Sequence, residues 1–138
     1  NRDKAGVTMH YMDEGIDTGP IIAQQEVGVL PPDTGETLHA RLLFEQKTLF
    51  EDTWPKLQRC YESNGFFLGS PQPDGWFPTA KTRDVEKIDN LTAGYGYTAN
   101  HIVGILRART YAPYTGAYVI ESGRKIGVSV TLTDLGPA

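Results

Sequence analysis

The chain has 138 residues, 39% of them apolar, and a formal net charge of −4. That length supports one modest core and not two comfortable domains. No segment approaches the roughly 18 uninterrupted apolar residues of a membrane span, and no charged start leads into an apolar signal-peptide run.

Charge is uneven. Residues 1–78 carry six Lys+Arg against twelve Asp+Glu, and residues 79–138 carry seven against five. An acidic first half speaks against tracking a phosphate backbone, and the weakly basic second half has no Lys/Arg run, so it reads as ordinary solvated surface. Cys60 is the single cysteine. It excludes an internal disulfide and a thiolate metal site, and it fits a reducing, cytoplasmic compartment.

In chain order, "AGVTMHYM" alternates with period two, which predicts a strand over 6–12. Val7, Met9 and Tyr11 fall on one face, Thr8 and His10 on the other. "DEGIDTGP" breaks the strand with Gly15, Gly19 and Pro20, and "IIAQQEVGV" predicts a second strand over 21–29, stopped by Pro31 and Pro32. The short connection makes the two strands neighbours in one sheet. The stretch 31–63 reads mostly as helix, capped by Asp33 or Thr34, with Leu38, Leu42, Leu49 and Leu57 as its apolar stripe. Leu43, Phe44, Phe50 and Trp54 widen the stripe, and Pro55 is expected to kink or divide the helix. Residues 64–90 are rich in Gly and Pro and read as a linker of loop and short extended pieces. A second helix is expected in "TANHIVGILRART", with Ile102, Ile105 and Leu106 inward. "GAYVIESGRKIGVSVTLTDL" reads as a hairpin turning at Gly123. This divides the chain into 1–63, a linker over 64–90 and a small α+β extension over 91–138. A first strand so apolar usually sits inside a larger sheet, so the chain is expected to be the C-terminal part of a larger protein.

Thr8 and His10 lie two residues apart on one strand face, and Asp17 follows in a turn between Gly15 and Gly19. A hydroxyl, an imidazole and a carboxylate within reach of one volume suit acyl-type chemistry, in which a carbonyl carbon is attacked and a proton moves. Ser-His-Asp-type hydrolysis competes, but a regular strand is not a nucleophile elbow and no G-x-S-x-G occurs. A metal site from His10, Asp13 and Asp17 also competes, with a single His and none of the usual zinc spacings, so no metal is expected. The bland alternative is a solvated strand face beside an acidic turn, with His10 satisfied by backbone.

"GVTMHYMDEGIDTGPII" resembles the signature of the 10-formyltetrahydrofolate-dependent formyltransferases, the family of the methionyl-tRNA and sugar N-formyltransferases. Its pattern runs G-[VT]-[ST]-x-H-x-[VM]-D-x-x-x-D-x-G-P-[IV]-[IL], and Gly6, Thr8, His10, Asp17, Gly19 and Pro20 fall on it. "PPDTGETLHARL" resembles the turn into the last helix of the family's catalytic domain. Asp89, Arg107, Pro113, Gly116, Ala117 and Tyr118 fit the region beyond it. The resemblance implies an α/β fold: the C-terminal part of a Rossmann-like formyltransferase domain, then a small helix-plus-β-hairpin extension. The family also places an Asn-x-His pair upstream of this strand. Asn1 is not that asparagine, because no His stands two residues on.

The resemblance further implies site roles. Met12, Asp13, Glu14, Gly15 and Ile16 form the loop that binds 10-formyltetrahydrofolate, the formyl donor. Asp17 organises a water or relays protons beside the formyl carbon, with His10 close to it, and Thr8 on the substrate side of the same network. Asp13 and Glu14 shape or solvate the loop. The acceptor is expected to be the primary amine of a small molecule, first a nucleotide-linked amino sugar. A tRNA acceptor is disfavoured by the lack of a basic cluster. Tyr111, Tyr114 and Tyr118 are available to stack on a base or sugar, or to pack on the hairpin. No membrane partner is expected, and a homodimer stays open. So does a non-catalytic folate-loop or interaction module.

Overall fold

The structure, a computed structural model, describes residues 3–15, 17–63, 65–66, 69–73, 82–93, 96–114 and 116–137. Their elements are β1 (Lys4–His10), β2 (Ile21–Gly28), α1 (Gly35–Glu62), α2 (Thr82–Asp89), α3 (Ala99–Ala108), β3 (Tyr118–Glu121) and β4 (Arg124–Gly127), with a 3₁₀ turn at Leu91–Ala93. They group into two compact units, one within 2–29 and 40–76 and the other within 30–39 and 77–138.

In the first unit β1 and β2 are antiparallel neighbours, as the short connection predicts. Lys4 faces Gly28 and Thr8 faces Gln24, but the register slips at the end: Met9 faces Ala23 and His10 faces Ile21, with Ile22 the extra residue. Met9 and His10 are both half-buried there, where strict alternation expects one. Ser70 extends the sheet by a two-way backbone pair with Ile21, 2.7 and 2.8 Å. Arg41 ties α1 to the hairpin through the Gly28 carbonyl at 3.1 Å.

α1 is a single helix of 28 residues that runs through Pro55 without dividing. An interior proline costs one ladder bond and crowds the carbonyl one turn back, and the ladder on either side carries the helix across it. The start is capped reciprocally. Thr37 N–H donates to Thr34 Oγ1 at 3.3 Å, and Thr34 N–H donates to Thr37 Oγ1 at 2.9 Å. Asp33 holds the preceding turn by accepting from Leu30 N–H at 2.6 Å and from Thr37 Oγ1 at 3.1 Å. The widened stripe is not covered: Phe44 is 68% exposed, and Leu43, Phe50 and Trp54 are exposed too. Two strands hide only part of a helix about 42 Å long.

In the second unit α2 falls inside the stretch read as linker. The Gly and Pro residues behind that reading end at Pro78, and Thr82–Asp89 contains neither. α3 begins at an N-cap, Thr98, whose side chain accepts from His101 N–H at 3.2 Å. Of its predicted inward residues, Leu106 is buried, and Ile102 and Ile105 are half-buried. The hairpin turns at Ser122 and Gly123 with φ of 48° and 75°, the left-handed pair of a two-residue turn. Its strands end at Gly127, with one further bond from Val128 N–H to the Ala117 carbonyl at 2.8 Å, and the rest of "VSVTLTDL" is not strand. Gly35 sits so close to the Ala108 carbonyl that a Cβ there would overlap it. Arg107 reaches the carbonyls of Asp33 and Leu30 at 2.8 and 3.1 Å.

One buried polar anchor of this unit is Asp89, 6% exposed. Both of its oxygens accept from Arg109, Nε at 2.6 Å and a terminal nitrogen at 3.1 Å, in the fork geometry that suits a guanidinium. The Tyr114 ring lies against the same Arg109, 5.8 Å from its centroid, and stacks on Tyr111. Removing one partner strands the other charge in a poorly solvated place. Asp89→Ala is therefore expected to lower unfolding free energy by about 3–5 kcal/mol, read as a shifted urea midpoint. An unmoved midpoint would show that the pair does not hold this unit.

Candidate active site

The loop between β1 and β2 is closed by its own backbone. Tyr11 N–H donates to the Pro20 carbonyl at 2.9 Å. Gly19, buried, presses against the Tyr11 carbonyl so closely that a Cβ would overlap it. Within the loop, Asp13 Oδ1 accepts from Gly15 N–H at 3.0 Å and from the Thr18 hydroxyl at 2.6 Å. Gly15 carries no Cβ because one would overlap that hydroxyl. From outside the loop, Gln72 Nε2 donates to the carbonyls of Asp17 and Gly19 at 3.0 and 2.9 Å.

This closure brings His10 and Asp17 together, as the motif implied. His10 Nδ1 lies 2.7 Å from the Tyr11 carbonyl, so that nitrogen carries the hydrogen and donates it. Nε2 is left facing Asp17 Oδ1 at 3.7 Å. The imidazole is mostly covered, and the carboxylate is 87% exposed. Asp17 takes a left-handed backbone, φ 56°, uncommon for a residue with a side chain. The pair therefore offers a solvent-facing carboxylate beside a mostly covered ring nitrogen whose lone pair can accept a proton that the carboxylate has taken up.

The other expected residues are placed as follows. Thr8 accepts from Gln24 Nε2 at 3.0 Å across the ladder, so its hydroxyl is engaged by Gln24. Met12 is 94% exposed. Asp13 and Gly15 form the lock just described, and Glu14 is exposed beside them. Ile16 lies outside the described residues. Tyr111 packs edge-on against His39 at 4.8 Å, and Tyr118 lies beneath Lys125 at 4.4 Å, so these rings are engaged within their own unit. Gln72 and Ser70 were missed. Their only signal is a short extended "SPQP", and nothing in one sequence says which strand such a segment joins.

Two family models match in this order: "Formyl transferase" over residues 2–53 and "N-formyltransferase dimerization C-terminal domain" over 84–134. The dTDP-4-amino-4,6-dideoxyglucose formyltransferase of Mycobacterium tuberculosis is 31% identical over 98% of this chain and 56% of its own. The chain belongs to the formyltransferase family. It spans about half the length of that curated relative. The methionyl-tRNA formyltransferase of Burkholderia thailandensis is also 31% identical, over 94% of this chain and 35% of its own.

Two solved formyltransferases agree. A 4-N formyltransferase from Francisella tularensis superposes with a TM-score of 0.75 at 28% identity, covering 93% of this chain and 51% of that one. The formyltransferase PseJ from Anoxybacillus kamchatkensis, solved with UDP-4,6-dideoxy-4-formamido-L-AltNAc and tetrahydrofolate, is 40% identical over 70% of this chain and 49% of its own, with a TM-score of 0.53. The formyltransferase fold here is α/β and Rossmann-like, with the small helix-and-hairpin extension that the resemblance implied.

The lock has a pH signature. The Thr18 hydroxyl first, and the Gly15 N–H second, hold the Asp13 carboxyl below its ordinary 3.8. A depressed folded value stabilises the loop above the unfolded value, and that contribution is lost as pH falls through the folded one. The Gly15 and Thr18 signals in an NMR titration are expected to shift with a midpoint below pH 3.8; a midpoint at or above it would remove the lock. Gly19→Ala is expected to cost about 1–3 kcal/mol, because the overlap is with backbone that cannot swing aside. An unchanged melting temperature for that variant would mean the loop closes in some other way.

Proposed function

We propose that this chain serves formyl transfer from 10-formyltetrahydrofolate to the primary amine of a nucleotide-linked amino sugar. The observation that carries the reading is the His10–Asp17 pair, 3.7 Å apart at the end of a pinned loop. The bound donor supplies the activated formyl carbon. As the acceptor nitrogen bonds to that carbon it must lose a proton, and Asp17 Oδ1 takes it. The same carboxylate, directly or through a water, returns a proton to the departing nitrogen. Once Asp17 is protonated, His10 Nε2 is the acceptor that faces it, and the Tyr11 carbonyl fixes the ring by holding Nδ1–H. Asp17 and His10 are thus the catalytic pair.

A folate-type donor fits the loop on one observation. The exposed Met12 side chain is an apolar surface that a flat heteroaromatic ring can cover, beside a loop held by its own side chains. Residues 12–16 would hold that ring, and Thr8 would lie towards the acceptor.

The amino-sugar acceptor is supported by the mycobacterial relative and by PseJ, whose descriptions name such sugars. The Burkholderia relative keeps methionyl-tRNA as the second acceptor. The weak positive charge of 79–138 favours the smaller one, since tracking phosphates takes clustered cations. The description of the second family model supports a homodimer formed through the region of 84–134.

In the protein purified at its full natural length, Asp17→Asn is expected to lower the formylation rate by roughly 10² or more, with folding little changed. The assay takes 10-formyltetrahydrofolate with a panel of nucleotide-linked amino sugars, and charged initiator tRNA in a parallel arm. Near-normal turnover by the Asn variant would take Asp17 out of the mechanism. Turnover confined to the tRNA arm would reverse the acceptor.

A further inference from the structure

We infer that Gln72 is a positioning residue for Asp17: its side-chain amide holds the loop in the one arrangement that points the carboxylate at His10. The inference rests on the reading that Asp17 moves the proton in transfer.

The geometry is specific. Gln72 Nε2 carries two hydrogens and spends both, one on the Asp17 carbonyl at 3.0 Å and one on the Gly19 carbonyl at 2.9 Å. Two carbonyls two residues apart converge on one nitrogen only if the chain between them turns sharply. Asp17 stands just before that turn and has a left-handed backbone, φ 56°. Aspartate tolerates this region better than most residues with a side chain, and here neighbouring bonds hold it there. The bond to the Asp17 carbonyl fixes the peptide plane leaving Asp17. The close approach of Gly19 to the Tyr11 carbonyl fixes the chain two residues on. With the backbone at Asp17 held, the Cβ direction is set, and from it the side chain reaches towards His10, with Oδ1 3.7 Å from Nε2.

Gln72 is itself well placed to act as a fixed point. It is half-buried although its neighbours Pro71 and Pro73 are exposed. Its segment is docked independently by the reciprocal backbone bonds between Ser70 and Ile21. Gly69 packs against Pro20, where a Cβ would come within 2.8 Å of the ring. The anchoring of the segment therefore does not depend on the Gln72 side chain. This separates a positioning role from a merely structural one: losing the amide leaves the segment docked and releases only the loop. The residue type is also restrictive. Glu offers no donor and sets a negative charge against two carbonyls. Leu fills nearly the same volume with no donor.

The test uses the protein at its full natural length with four variants: Gln72→Leu, Gln72→Glu, Asp17→Asn and the double Gln72→Leu/Asp17→Asn. Gln72→Leu is expected to lower kcat by about 10- to 100-fold, the scale of a displaced catalytic group, with KM for donor and amine changed less than about threefold. Gln72→Glu is expected to fall at least as far. In the Asp17→Asn background, Gln72→Leu is expected to change kcat by less than about twofold, because the group it positions is gone. A Gln72→Leu enzyme with unchanged kcat overturns the inference, and so does a loss that persists in full in the Asp17→Asn background. A second readout needs no turnover. Amide hydrogen exchange at Thr18 and Gly19 is expected to rise by about tenfold or more in Gln72→Leu while the β1–β2 ladder stays protected. Unchanged loop exchange overturns the clamp itself. Loosened loop amides together with full turnover by Asp17→Asn instead fault the assigned chemistry and leave the clamp standing.

Discussion

The site depends on one close approach of backbone to backbone. Gly19 lies against the Tyr11 carbonyl with no room for a Cβ, and Tyr11 N–H reaches across to Pro20. That contact returns the chain to β2 in register with β1. It also leaves the Tyr11 carbonyl where His10 Nδ1 can donate to it. Every polar feature of the loop is hung on this closure. The Asp13 lock organises the front of the loop, the left-handed turn at Asp17 sits behind it, and the Gln72 amide spans the end. A glycine is required here for space, not for its dihedral freedom.

The two units are stabilised by different means. The first relies on ladder hydrogen bonds and on loops that satisfy their own polar groups. The second has a buried ion pair, Asp89–Arg109, and cation–aromatic contacts around it. Among the described residues, the buried apolar side chains are Val27, Leu106 and Ala117. With so little apolar burial, paired and satisfied polar groups carry much of the local order. The rings of Tyr111 and Tyr114 belong to this scheme: they are packed on one another, on His39 and on Arg109.

A solvent-exposed carboxylate on a held backbone suits the chemistry proposed for it. Asp17 is largely in solvent, so it can exchange protons and accommodate an incoming amine. Its imidazole neighbour is mostly covered and held by a carbonyl, so the ring nitrogen that faces it stays in place. A rigid base of backbone bonds beneath one exposed side chain gives orientation without burying the charge, and burial would penalise the ionised form.

Sequence alone determined the local features. Period-two alternation and a Gly-Pro-bounded break specify two adjacent antiparallel strands, because a connection this short leaves no other partner. The Thr34 cap, the α3 cap at Thr98 and the turn at Gly123 follow from side-chain chemistry within a few residues. The motif residues His10 and Asp17 were legible because only six residues separate them along the chain, a distance local rules can span. What only the tertiary structure decided are the long-range partners. Gln72 lies 55 positions from the Asp17 carbonyl that it holds. Arg109 finds Asp89 from another element, 20 residues away. The register slip that half-buries His10 arises from pairing and not from composition. Helix α2 was hidden by the Gly and Pro residues before it, and α1 crosses Pro55 because its remaining ladder bonds outweigh the one lost. Such outcomes are set by which surfaces meet, and a single sequence records side chains but not the partners they will face.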